Sequence, residues 1–121
     1  MITEIAFVGI PVTDMKRARA FYEDALGLKP SGPVHDMWME YDIGPGTLAL
    51  GCIGDDWKPS SSGTMAALEV TDLDAEIVRL KGRGVTFAMD KIESPVCFMA
   101  VVADPDGNKV CLHMRKPAKP A

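Results

Sequence analysis

Hydrophobic and polar residues alternate along this chain with two periods, and the switches between them mark out its elements. An apolar stretch over 2–12 reads as a strand. Beyond it Met15, Ala18, Phe21, Tyr22, Ala25 and Leu26 fall at helical spacing and predict one buried helix face. Asp14 is the natural N-cap, because a short carboxylate accepts hydrogen bonds from the open N–H groups of a first turn. Gly27 supplies the left-handed residue that ends such a helix. Strand-like segments follow over 34–42 and 47–53, parted by the turn Gly44-Pro45-Gly46.

The same order then recurs. Val12-Thr13-Asp14-Met15 returns as Val70-Thr71-Asp72-Leu73, with Asp72 as cap and Leu73, Ile77 and Leu80 as the apolar stripe. Gly82 or Gly84 ends this second helix. Its opening strand covers 64–70, and strands over 85–89, 96–103 and 109–114 follow. The last two are joined by Asp104-Pro105-Asp106-Gly107-Asn108, a strong turn signal. Each half thus reads strand, helix, then two or three strands. The organisation expected is a first module over 1–57, a linker over 58–63 (Lys58-Pro59-Ser60-Ser61-Ser62-Gly63), a second module over 64–115 and a disordered tail over 116–121. The class is α+β, with helices over one face of a mixed sheet.

Composition narrows the function. A chain of 121 residues that is 47% hydrophobic and 25% charged can fold unaided. A net charge of −4 and a pI near 5.1 argue against a nucleic-acid partner, which needs a basic stripe. No apolar run approaches the ~20 residues that span a bilayer, and no basic flank or long apolar core marks a secretory signal. Membrane partners are therefore not expected. Cys52, Cys97 and Cys111 form no CxxC pair, which fits reduced thiols in a cytoplasm. Only His35 and His113 supply imidazole, so metal and acid–base chemistry are both restricted.

The chain resembles the vicinal-oxygen-chelate superfamily, which includes glyoxalase I, extradiol dioxygenases, fosfomycin-resistance enzymes and bleomycin-resistance proteins. Three segments carry the resemblance: Phe7–Asp14 leading to Ala20-Phe21-Tyr22-Glu23-Asp24-Ala25-Leu26-Gly27-Leu28, Ala67–Asp72 with Gly84-Val85, and Asp104–Val110. It implies two tandem βαβββ modules forming a curved mixed sheet, a half-barrel around a cleft, with helices on the outer face. It also implies a homodimer. It does not fix the reaction, since unrelated activities share this scaffold.

In the metal-dependent members a divalent ion is held by side chains from the first and last strands of each half. Carried over position by position, that resemblance places the four ligands at Phe7, Ala49, Met65 and Cys111. A hard cation wants imidazole or carboxylate donors, and these offer hydrocarbon, a thioether and one thiol. No metal and no other cofactor is expected. The one remaining donor set, Cys111 and His113 with Glu69, is weakened because Glu69 lies at the far end of its strand from Met65.

Strand alternation puts Phe7, Gly9 and Pro11, with Met65, Ala67 and Glu69, on the cleft side. Thr47, Ala49 and Gly51 join them, as do Cys111, His113 and Arg115. Either Trp38 or its neighbours Met37 and Met39 would add a wall, and Trp57 could cover the mouth. A concave apolar surface with few polar groups is how small-molecule pockets are built; the bland alternative is that Phe7 and Met65 merely fill a core. His113 and Glu69 are the acid–base candidates. Three readings follow. The first is a metal-free binding protein for an aromatic or amphipathic molecule, contacting Phe7, Trp38, Ala49, Trp57, Met65, Cys111 and His113. The second is an enzyme (lyase, isomerase or dioxygenase-like) using His113 and Glu69 or an unconventional metal site, with glyoxalase I activity disfavoured by the four ligand positions. The third is an interaction module without ligand.

Overall fold

The computed structural model describes residues 1–117. The chain divides into two compact units, one of Met1–Ser61 with Pro105–Asn108, the other of Ser62–Asp104 with the chain from Lys109 onward. The class is α+β, with a three-stranded and a four-stranded sheet, each mixed and open.

In the first unit, β1 (Val8–Pro11) runs parallel to β3 (Gly46–Gly51), which pairs antiparallel with β2 (Trp38–Ile43). This half realises the smaller of the two expected strand counts. β1 is shorter than the 2–12 run predicted, for a reason visible in its register. Val8 lies opposite Leu48, so the chain two residues earlier meets the start of β3 at Gly46, where β3 turns back into β2. Beyond that point there is no partner, and Ile2 and Ile5 are exposed. β2 likewise starts at Trp38 rather than 34, because its partner leaves the sheet after Gly51.

Helix α1 (Met15–Arg19) begins where expected: the Asp14 carboxylate accepts the Arg17 N–H at 3.0 Å. It then widens into a π-helical turn, Ala20–Ala25, in which the Leu26 N–H reaches the Phe21 carbonyl five residues back. The extra residue per turn lets the adjacent Phe21 and Tyr22 both be buried, their rings edge-to-face at 5.0 Å. Simple 3.6-residue spacing does not anticipate that bulge. Glu23 on this turn takes both a two-point ion pair from Arg19 (2.7 and 3.0 Å) and the hydroxyl of the fully buried Tyr41 at 2.7 Å. Arg19 holds the Glu23 carboxyl below its ordinary pKa, while burial pushes the Tyr41 phenol up. Met15, Ala18 and Tyr22 close the core against Ile10, Met39, Leu48 and Leu50.

The second unit has β4 (Ala66–Glu69), α2 (Leu73–Gly82), β5 (Thr86–Glu93), β6 (Cys97–Ala103) and β7 (Lys109–Arg115), in sheet order β4-β7-β6-β5. The repeated cap repeats its work: the Asp72 carboxylate accepts the Ala75 N–H at 3.1 Å. Of the two candidate stops, Gly84 is the left-handed one (φ 78°), and the Val85 N–H closes onto the Leu80 carbonyl. Leu73, Leu80, Ala100, Val102, Val110 and Leu112 form this unit's core. Past β7 the Lys116 N–H still pairs with the Val96 carbonyl, and the rest of the expected tail, from residue 118, lies outside the described residues.

The turn Pro105–Asn108 belongs to the first unit, and its side chains show why. The Asp106 carboxylate accepts the Thr13 N–H at 2.9 Å, the Thr13 hydroxyl at 2.5 Å and the Arg17 guanidinium at 2.6 Å. Asn108 donates to the Pro11 carbonyl at 2.8 Å and accepts the Ser60 N–H at 3.2 Å. The Asp106 side chain is only 7% exposed while Thr13 and Arg17 face water, so removing it gives up three hydrogen bonds to a charged group that water only partly replaces. Asp106→Ala should cost about 1–3 kcal/mol of unfolding free energy by urea titration. An unchanged midpoint would show the clasp to be ornamental.

Candidate functional site

Alternation separates each sheet into a helix side and an open side, and the cross-strand register says which residues share them. In the first unit, Gly9 lies opposite Ala49 and Pro11 opposite Gly51. Across β2, Trp38 lies opposite Gly51, Glu40 opposite Ala49 and Asp42 opposite Thr47. This settles the choice left open between Trp38 and its neighbours Met37 and Met39. Trp38 shares the side of Gly51; Met39, 1% exposed, lies opposite Leu50 on the core side; and Met37 is exposed.

Three aromatic rings gather over this side. Trp57 stacks on Trp38 with centroids 6.3 Å apart and planes inclined by 29°, and Phe7 meets Trp38 edge-on at 5.3 Å. The floor beneath them is made of residues with little or no side chain. A Cβ on Gly51 would come within 2.4 Å of the Trp57 ring, and one on Gly9 within 2.8 Å. Ala49, between them on the same side, is fully buried. Trp57 therefore lies flat across a slot that only glycine leaves open. Its segment is lightly held: Gly54 is left-handed (φ 95°), and the Trp57 N–H reaches the Gly54 carbonyl at 3.5 Å.

Two depressions border the cluster. One of about 490 Å³ is lined by Val12, Thr13, Cys52, Gly54, Asp55, Trp57, Lys58 and Pro59. The other, about 240 Å³, lies on Gly32, Pro33, His35, Trp38 and Glu40. The Trp38 indole N–H donates to Glu40 at 2.8 Å, and the Met37 N–H donates to His35 Nδ1 at 3.0 Å. Sequence reasoning did not single out Glu40. Its signal was the i, i+2 spacing from Trp38, unreadable until the side of Trp38 was known. The loop 31–36 has no periodicity that would have found the second depression.

In the second unit, Ala67 lies opposite Cys111 and Glu69 opposite His113, with Val101 and Met99 continuing the same side on β6. Glu69 takes His113 Nδ1 at 2.6 Å and the Arg115 N–H at 2.8 Å, with the Arg115 guanidinium at 3.7 Å. The Arg115 N–H, and then His113, hold the Glu69 carboxyl below its ordinary pKa. A carboxylate on Nδ1 fixes the orientation of an imidazole, as base–orienter pairs do. Met65 is exposed, while Cys111 is 2% exposed, with its sulfur 3.7 Å from that of Met99. Burial pushes the Cys111 thiol up, away from the thiolate a metal would need.

The four positions that would carry a divalent ion thus do not fit one. Phe7 and Ala49 have no donor, Met65 has a thioether, and Cys111 is a buried thiol bonded to its neighbours. Cys111, His113 and Glu69 share a side, yet Glu69 is committed to His113 and Arg115. Among the described residues, no group of three or more His, Cys, Asp or Glu is placed to hold a metal. No described helix is long and apolar enough to cross a membrane, and all three cysteines are unbridged. Cys52 is only half-buried.

Two measurements check this geometry. Gly51→Ala should push the Trp57 ring aside, alter the near-ultraviolet circular dichroism of the paired indoles, and cost about 1 kcal/mol. An unaltered spectrum would place the ring elsewhere. Glu69→Gln keeps an acceptor for Arg115 and removes the charge. A carboxyl that titrates lower folded than unfolded stabilises above its ordinary pKa of about 4.3, and that gain is lost as pH falls through the depressed folded value. Wild type should melt above the variant at neutral pH, and the two curves should converge in acid. A gap independent of pH would remove Glu69 from the linkage.

Comparison with known proteins agrees with the fold. The family model described as Glyoxalase/Bleomycin resistance protein/Dioxygenase superfamily matches residues 4–112. No curated protein matches the chain. Among solved structures, TnmS3, an antibiotic binding protein from Streptomyces sp. CB03234, is 26% identical, with a TM-score of 0.77 over 95% of this chain and 98% of that one. A glyoxalase/bleomycin resistance protein from the same strain is 28% identical, with a TM-score of 0.72 over 90% and 98%. A superfamily member from Sphaerobacter thermophilus DSM 20745 is 26% identical, with a TM-score of 0.73 over 93% and 98%. With the motifs, the repeated caps and the sheet order already in place, the match over residues 4–112 settles the matter: the chain belongs to the Glyoxalase/Bleomycin resistance protein/Dioxygenase superfamily.

Proposed function

We propose that this protein is a metal-free small-molecule-binding member of its superfamily that holds an aromatic or amphipathic ligand. On the first unit the side that would meet a ligand presents Phe7, Trp38 and Trp57, with Ala49 buried beneath them; taken by itself, the second unit presents Met65 and His113, with Cys111 buried. The observation that carries the reading is the aromatic platform of Trp38, Trp57 and Phe7 above a glycine floor, bordered by open depressions of about 490 and 240 Å³. The likeness to an antibiotic binding protein supports it, as does the donor-poor set at the four ligand positions. The family resemblance supports a homodimer, and three unbridged cysteines support a cytoplasmic location. A second reading, catalysis, is favoured by one observation, the 2.6 Å contact that orients His113 on Glu69.

A thermal-shift screen of aromatic metabolites and antibiotics, with and without divalent ions and beside elemental analysis, tests both. A ligand at a hundred times its Kd stabilises by about 2.7 kcal/mol. A true ligand should raise the melting temperature of wild type and lose most of that effect in Trp38→Ala. Mass spectrometry of the same incubations should return the ligand unchanged; conversion that His113→Ala abolishes would favour catalysis. Stoichiometric metal, or stabilisation by nickel, zinc or manganese, would overturn the metal-free reading. Indifference to every compound would favour an interaction module.

A further inference from the structure

The pocket of about 240 Å³ beside Trp38 is smaller than a drug-sized ligand requires, and its lining is chemically selective. Gly32 and Pro33 give it apolar walls without bulk, and Trp38 gives it an aromatic one. Glu40 is its carboxylate, with one oxygen fixed 2.8 Å from the Trp38 indole nitrogen, so the charge is held at the edge of the ring. His35 also lines it, with Nδ1 already accepting the Met37 N–H. Among the described residues, no lysine or arginine lines the pocket. An aromatic ring next to a fixed carboxylate attracts an organic cation twice, through the ring's π-electrons and through the charge. An anion is repelled by both, and a neutral group gains only apolar contact.

We propose that Gly32, Pro33, His35, Trp38 and Glu40 form an ammonium subsite, which receives the cationic group of the ligand while Glu40 supplies the counter-charge. This rests on the small-molecule reading above and adds the ligand's charge to it. The pocket's volume suits an alkylammonium head, not a whole ring system. Such a ligand carries its amine on an aromatic or amphipathic body.

The matched probes are choline and its uncharged isostere 3,3-dimethylbutan-1-ol, titrated into the full chain while the two indole N–H resonances are followed by NMR. A Trp57→Phe variant assigns the Trp38 signal. Choline should shift the Trp38 resonance saturably, and bind at least about fivefold tighter than the alcohol. Added salt should narrow that ratio. Glu40→Gln still offers the indole an acceptor and should lower choline affinity about fivefold while leaving the alcohol unaffected. Equal binding of the two probes, or a Glu40→Gln variant that binds choline as wild type does, would overturn the subsite. Silence of Trp38 towards choline, while a screened compound still stabilises the protein, would overturn it and leave the small-molecule reading standing. Silence towards choline and towards the whole screen would remove both.

Discussion

A β-carbon at position 51 would lie within 2.4 Å of the Trp57 ring, and the surface of the first unit is organised by that exclusion. Glycine at 9 and 51 and alanine at 49 leave the open side of the sheet one ring deep, and an indole fills the depth. The same alternation that thins this side loads the other with Ile10, Leu48 and Leu50 for the helix to cover. Binding surface and core are therefore two readings of one period-two pattern. A shift of one residue in the β1–β3 register would exchange them.

The resemblance would put the donors of a metal centre at positions 7, 49, 65 and 111, which here hold Phe, Ala, Met and Cys. Positions 49 and 111 lie within β3 and β7, and 7 and 65 stand one residue ahead of β1 and β4; pairing there requires no imidazole or carboxylate, only residues that tolerate a pleated, half-covered surface. Hydrocarbon and sulfur meet that requirement. Loss of a ligand set is thus cheap for the fold, which is one physical reason a scaffold can host many functions.

Much of this was legible in the sequence. The Asp14 and Asp72 caps, the left-handed Gly27 and Gly84, and the terminal hairpin each follow from local chemistry that tertiary contacts did not override. Where the sequence reading ran long, at residues 2–7 and 34–37, the missing information was non-local: a strand lasts only as long as its partner. The π-helical turn was hidden for a related reason, since burying both Phe21 and Tyr22 is a demand of the core they meet. At the candidate site, alternation gathered Phe7, Gly9, Ala49 and Gly51, which lie together on one side of the first sheet. It could not orient Trp38 or find Glu40 until the β2–β3 register was fixed. Trp57 sits in an irregular segment, and its position follows from the glycines beneath it, far away in the chain.

The clasp at Asp106 sets an order on biosynthesis. A ribosome that has released residues 1–61 has delivered the strands, helix and turn of the first unit but none of the four residues, Pro105–Asn108, that complete it. Until they emerge, Thr13 and Arg17 lack the carboxylate that binds them and the Pro11 carbonyl lacks its amide. The half translated first must thus wait until most of the second has been made, and a gene fragment cut at the linker would encode it in an incomplete state. Despite its duplicated plan, the polypeptide is not two separable pieces.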